Sequence, residues 1–593
     1  MPTSRVRLLA AGGAVIALAA TAWAQERPES ILPPGFGQPV QPSPAPTGTQ
    51  RPPATPGPMI QPIPREERQA KTPSDLPSAT PTPTPAPTID PKVLAEYELP
   101  TAARRSLAMV GVGDVGFDAD AFGGADGRTL EGWMHGFRGP LASRWLEITL
   151  RRALAGTVTT PRSVNGADFA GERAWLLLRL GEPVAARALV QAVDPDNYTP
   201  KLYQVAMQAA LATGDPAATC ALVDAANARA PEPAWRLAKP ICVSLGGAPA
   251  AAAPLLAAAK RARVARGVDF QLAQKVVGAG GQGRQAVTIE WDGVDRLTAW
   301  RWGLATATGV DVPDSLYATA GPQLAGWRAL TPAIAPAKRL AAAETAAGMG
   351  MLSNAAIVDL YATQDEDEDA AASASASDLR EAYTGATLDA RRAALGRLWG
   401  VADANARVPY GRLVLTARAA ARLRVVEKSP DADRLVAAML SAGLDRTALR
   451  WRTVVPDGGD AWAMLLLADP DATGTVAYRT LSAYAGTGDA ALKQRFLFAA
   501  LAGLGRLSPD DVERGARALD VKIGAENSWT RALDRAARDR QPGTVALLAA
   551  IGVQTPAWRG VPPEALYRIV GAMRAVGLDG TARMVAAEAI ARA

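Results

Sequence analysis

The sequence predicts an all-α protein, a solenoid of stacked α-α hairpins behind a disordered proline-rich N-terminal linker. Three observations carry that expectation. Alanine dominates the chain beyond the linker while aromatic residues make up only 5% of the whole, and alanine has the highest helix propensity. Twenty of the 46 prolines fall between Pro28 and Pro91, a density that rules out a helix or a sheet interior there. A glycine-x-proline signature recurs at Gly181-Glu182-Pro183, Gly214-Asp215-Pro216 and Gly247-Ala248-Pro249, each 33 residues from the next.

The chain begins MPTSRVRLLAAGGAVIALAATAWAQE. Arg5 and Arg7 form a basic start, Leu8 to Ala20 an apolar stretch, and Ala22-Trp23-Ala24 a small-residue cleavage signature. Residues 1–24 read as a secretory signal peptide cut between Ala24 and Gln25. The alternative is an uncleaved inner-membrane anchor with the rest of the chain facing the periplasm, but the apolar run is short for a span. The expected location is therefore the periplasm or the cell exterior, with no stable membrane span after cleavage. Residues 25–92 should sample polyproline II and coil. A passive spacer is the plain reading; a tether or a bait for a proline-binding groove is the sharper one. Residues 93–139 read as an irregular lead-in segment.

An N-terminal helical arm is expected over 140–363. Its first helix, in PLASRWLEITLRRALAG, should start near Pro140 and present Leu141, Trp145, Leu146, Ile148 and Leu150 as a broad apolar side. The 33-residue signature follows. The glycine closes one helix in a left-handed cap, and the proline takes the first position of the next, where its missing donor costs nothing. Apolar positions keep step at Leu189, Leu222 and Leu255, then at Val190, Val223 and Leu256. A hairpin repeated in this way cannot bury its face alone, so its neighbours must stack.

WLLLRLGEPVAARALV, from Trp175 to Val190, resembles the turn region of a tetratricopeptide-type repeat, and the likeness extends over about 170 to 262. Asp194-Pro195 resembles the proline that ends such a unit, about three residues early. The resemblance implies a right-handed α-α superhelix. The last residues repeat the plan, with Gly577 and Ala582 spaced as Gly181 and Ala186 are and Val585 at the leucine position. The segment Gln364 to Asp378, QDEDEDAAASASASD, reads as an acidic Ala/Ser loop, because five consecutive acids repel one another and the tract shows no packing face. Calcium binding there has no glycine turn or EF-hand spacing to support it. A C-terminal helical arm is expected over 379–593.

Little in the sequence offers catalysis. The single histidine, His135, would have to serve any Ser-His-Asp triad, and no serine lies in a G-x-S-x-G context. Two cysteines and one distant histidine make a poor zinc set. Gly278, Gly280 and Gly283 have G-x-G-x-x-G spacing, but a helical pattern precedes them where a strand is needed. Asp114, Asp118, Asp120 and Asp126 match no cation-site spacing. Trp175, Trp235, Trp300, Trp302 and Trp327 read as hairpin fillers rather than sugar platforms. The net charge of +6, or +4 without Arg5 and Arg7, is mild for 593 residues and does not call for nucleic acid. Lys260 to Arg266, KRARVAR, is a basic patch that either solvates a helix or meets an acidic partner or lipid headgroup.

The functional expectation is a non-enzymatic periplasmic scaffold or adaptor that binds a protein or peptide on its helical surface and needs no cofactor. The chain also loosely resembles the helical superhelix of soluble lytic transglycosylases, with no segment matching their catalytic domain. That likeness implies the alternatives, a peptidoglycan-binding protein or a glycan-cleaving enzyme using paired carboxylates.

Finally, Cys220 and Cys242 are expected to form a disulfide. Export permits oxidation, and two cysteines allow one connectivity. Each lies 11 residues from Pro231 in the turn between two antiparallel helices, Pro216 to about Arg229 and about Glu232 to Ser244, so the two stand level.

Overall fold

A computed structural model describes Pro100 and residues 103–593, except 282–286, 365–369, 401–407 and 428. The cleavage site Ala24-Gln25 and the linker 25–92 lie outside the described residues. The described chain is almost entirely helical. Its strands are a two-residue antiparallel ladder, Met109–Val110 with Val158–Thr159. Buried Arg173 holds this ladder by donating to the carbonyls of Val110, Leu154 and Gly156. Burial without an acidic partner draws its guanidinium down to about 9.

The opening helix of the array is Arg144–Ala155. It starts at Ser143 rather than beside Pro140, because the Ser143 hydroxyl accepts from the Leu146 N–H and caps it. Residues on every side of this helix are buried, as expected of one that sits inside a body rather than on its surface. It packs against Gly166–Arg179 on one side and against Pro542–Gly552 and Asp579–Arg592, the last helix, on the other. The opening helix of the array and the last helix of the chain are thus packed together. One continuous core runs through both.

The repeat forms three hairpins. Gly166–Arg179 pairs with Pro183–Gln191, and Pro233–Leu245 with Pro249–Arg261. Between them, Pro200–Ala212 is followed by a 3₁₀ turn, Pro216–Thr219, and a short helix, Val223–Arg229. Gly181, Gly214 and Gly247 have φ of 84°, 67° and 88°, which a side chain would oppose, and each proline opens its helix. The one helix expected from Pro216 to Arg229 is broken. The Thr219 hydroxyl donates to the Pro216 carbonyl at 2.7 Å, a local bond that competes with regular helix pairing.

The expected loop over 364–378 is corrected in part. Residues 365–369 lie outside the described residues, but Ala370–Thr384 is a helix packed on Leu388–Trp399. The helix packs through Ala376, Leu379 and Ala382, buried at three-residue intervals, of which Ala376 alone belongs to the Ala/Ser tract. Arg397 then clamps its far side through Asp378 at 2.8 Å and through Glu381.

Trp235, Trp302 and Trp327 are fully buried. Trp302 and Trp327 donate to the carbonyls of Ala212 and Leu178 beside the repeat turns. Helices Ala299–Ala307 and Leu324–Leu330 therefore lie across those turns.

Candidate functional site

The two cysteines mark how the hairpins are joined. Their sulphurs stand 2.12 Å apart and their Cα atoms 5.2 Å apart, at disulfide distance. Cys220 belongs to the second hairpin and Cys242 to the first helix of the third. Thirty-three residues earlier, Arg187 occupies the position of Cys220. Its guanidinium pairs with Asp215 at 2.9 Å, tying the first hairpin to the second. Thirty-three residues after Cys220 the same position is Ala253, and two repeats after Asp215 its counterpart is Gly281. Neither side chain can make such a tie.

An open cleft of about 530 Å³ lies at this third junction, between helices Pro249–Arg261 and Gly267–Ala279. Ala253, Leu256, Ala257 and Lys260 form one wall, and Phe270 and Val277 belong to the other. The first wall belongs to a run, Pro249 to Ala259, without a single polar side chain. Of that run only Ala252 and Ala259 are buried. Leu255 is 38% exposed and Leu245, at the end of the preceding helix, 39%. The repeat explains the contrast. Leu189 and Val190 are covered in the first hairpin, because the next first helix, Pro200–Ala212, packs on them and the following second element closes beside it. The expectation that Leu255 faces inward like Leu189 is corrected.

Helix Gly267–Ala279 does take the role of a fourth first helix, since it packs on both helices of the third hairpin. Gly280 lies 33 residues after Gly247. It ends its helix at φ −72° rather than in the left-handed form, and Gly281-Gln282 stands where Glu182-Pro183, Asp215-Pro216 and Ala248-Pro249 stand in the other units. Among the described residues from 287 to 298 there is no helix. The next one, Ala299–Ala307, turns back onto Pro200–Ala212. The cleft is the place a fourth second helix would fill. The sequence signal for it was the fourth glycine of the 33-residue series, which the G-x-G-x-x-G spacing hid; Gly278 sits within a helix and Gly283 lies outside the described residues.

Charge lies at one end of the cleft. Lys260, Arg261, Arg263 and Arg266 end the apolar helix and its turn, with no acid between Pro249 and Val268. Lys260 rests 5.9 Å over the Phe270 ring, and Asp269 is taken by Arg301 at 2.9 Å. A wider cleft of about 930 Å³ lies beside helix Pro509–Ala518, but its rim mixes Glu513, Arg517, Asp520, Lys522 and Arg574.

Carboxylates suited to glycan cleavage should be open to a polymer. Glu147, held furthest above the usual carboxylate range, and its neighbour Glu182 are not. Burial holds the Glu147 carboxyl well above the usual range, and the charge of Glu182 adds to this while Arg151 opposes it. Glu182 is raised by the same burial, and Arg151 bonds it at 2.8 Å. Glu147 is 2% exposed and Glu182 5%, so a glycan strand cannot reach the pair. Glu147 Oε1 has no hydrogen-bond partner, which sets a test. A raised carboxyl contributes stability that is complete below the ordinary carboxylate range and is lost as pH rises through its folded value. Glu147→Gln should therefore leave the melting temperature unchanged at acid pH and raise it by a few degrees at pH 8, read by scanning calorimetry.

His135 is exposed, stacks on Trp175 at 5.0 Å and faces Glu172 at 3.4 Å. Asp126 caps a helix by accepting from Thr129, and Asp114 accepts from Gly116. Among the described residues no group of three or more His, Cys, Asp or Glu is placed to hold a metal ion. No described helix is long and apolar enough to cross a membrane.

These features define a helical-repeat protein in the generic sense. No family model, no curated protein and no solved structure matches the chain.

Proposed function

We propose that this chain is a non-enzymatic scaffold of the periplasm that holds a partner protein or peptide on its helical-repeat surface. In this reading residues 1–24 export it with cleavage between Ala24 and Gln25, and residues 25–92 give it reach. Residues 166–279 act as a right-handed, tetratricopeptide-like superhelix, with Cys220 and Cys242 bridged in the oxidising compartment. The observation that carries the proposal is the apolar, basic-ended cleft at the third junction, uncovered among the described residues. Peptidoglycan binding or cleavage is the competing outcome.

Incubating the mature protein with purified cell-wall sacculi separates these. The scaffold leaves the sacculi intact and stays in the supernatant. Soluble muropeptides would contradict it, and co-pelleting without release would make the protein a glycan binder. For the cysteines, thiol titration of the denatured, unreduced protein should find none free, with the mass of a single chain; two free thiols would refute the bridge. Reduction should destabilise the second and third hairpins by roughly 3 kcal/mol on the chain-entropy account of a loop this long.

A further inference from the structure

We infer that the cleft between Pro249–Arg261 and Gly267–Ala279 takes one amphipathic α-helix from a partner protein, apolar on one stripe and acidic where it meets Lys260–Arg266. The inference rests on the scaffold reading and names the ligand of its surface.

The shape of the site follows from the array itself. In the first two junctions the second helix of one hairpin is tied to the next unit, by Arg187–Asp215 and at Cys220–Cys242. In the third, Ala253 and Gly281 stand where Arg187 and Asp215 stand in the first, and both line the cleft. What the series lacks here, among the described residues, is the second helix of a fourth hairpin, and the open cleft of about 530 Å³ admits the apolar stripe of such a helix rather than its whole girth. The wall helix has 13 residues, about 20 Å at 1.5 Å per residue, so it faces three to four turns of a partner. Small residues at Ala253, Ala257, Gly278 and Gly281 let a second backbone come close. Leu256 and Phe270 offer apolar contact for larger side chains placed three and four residues apart, the spacing by which helices fill grooves.

The charge decides between occupants. Four cations lie within the seven residues Lys260 to Arg266, so an acidic flank is drawn in and oriented. A second copy of this chain docking through this same face would bring the same four cations against them. A flat lipid surface would not fill a concave cleft, and only Phe270 among the lining residues is aromatic, whereas proline-rich ligands dock on aromatic-lined grooves.

The test places a photo-crosslinking residue at Ala257 of the intact chain in its own cells. After irradiation, the crosslinked peptide is identified by mass spectrometry. The expected product is a peptide of another polypeptide, with Leu, Ile or Phe at helical spacing and a net negative charge. The double change Lys260→Glu with Arg263→Glu, on exposed side chains, should lower the yield at least tenfold with the melting temperature unchanged. A second variant, Ala253→Arg with Gly281→Asp, restores the pairing of the first junction and should also abolish the product. Adducts to lipid, to a second copy, to this chain's own segments or to nothing would overturn the inference, as would a yield indifferent to both variants. If a partner still co-purifies with both variants, the groove assignment fails while the scaffold reading stands. If the unaltered chain carries no partner, the scaffold reading itself fails.

Discussion

Replacing Glu588 by alanine is expected to cost about 3–5 kcal/mol, the usual loss when one member of a buried ionic network is removed. The reason lies in how the chain ends meet. Glu588 is in the last helix, yet its carboxylate caps the opening helix of the array. One oxygen accepts from the Ser143 hydroxyl at 2.6 Å and the other from the Arg144 N–H at 2.9 Å. Arg592 adds a bond at 2.6 Å. The same Arg144 reaches the carbonyls of Ala347, Leu352 and Ser441, the ends of elements in the middle of the chain. Alanine at 588 would leave these first-turn donors buried without an acceptor. Calorimetry should show a lower and broader transition, because loss of the joint uncouples neighbouring units of a helical array. Glu513→Ala is the control. Its pair with Arg517 is exposed, and its removal should change stability by no more than about 1 kcal/mol.

Lys493→Met should cost a similar amount, roughly 3–5 kcal/mol. Lys493 and Asp460 are both 8% exposed and bond at 2.7 Å. Asp460 also receives the Thr487 hydroxyl at 2.7 Å and the Tyr484 hydroxyl. Removing the ammonium strands a buried carboxylate beside Asp433, whose own carboxyl is already raised, first by burial and then by the charge of Asp460. Adding Asp460→Asn to Lys493→Met should recover most of the loss. A double variant no more stable than the single one would show that the pair is not the source of the effect.

The parts of the fold that could be read from the sequence are the local ones. Gly181, Gly214 and Gly247 announce left-handed turns, and the prolines two residues on announce helix starts, because both act through their own backbone. The joint at Glu588 was invisible for the opposite reason. Ser143 and Glu588 are 445 residues apart, and nothing near either one points to the other. The Ala/Ser stretch before Asp378 reads as loop because alternating alanine and serine marks no apolar stripe, yet it belongs to the helix Ala370–Thr384. Its packing face at Ala376, Leu379 and Ala382 has meaning only once Leu388–Trp399 is beside it. The cleft was half legible. Its apolar run and its cations were plain, and Gly280 was in register. That the run stays uncovered among the described residues depends on there being no helix over 287–298, which no periodicity within Pro249–Arg261 encodes.

The proposed scaffold holds another chain rather than turning over a substrate. Native mass spectrometry of the intact protein purified gently from its own cell envelope tests that most directly. The account predicts a complex of one chain with a second polypeptide, replaced by the bare chain when Ala253→Arg and Gly281→Asp close the cleft. A bare chain from the unaltered protein would contradict it.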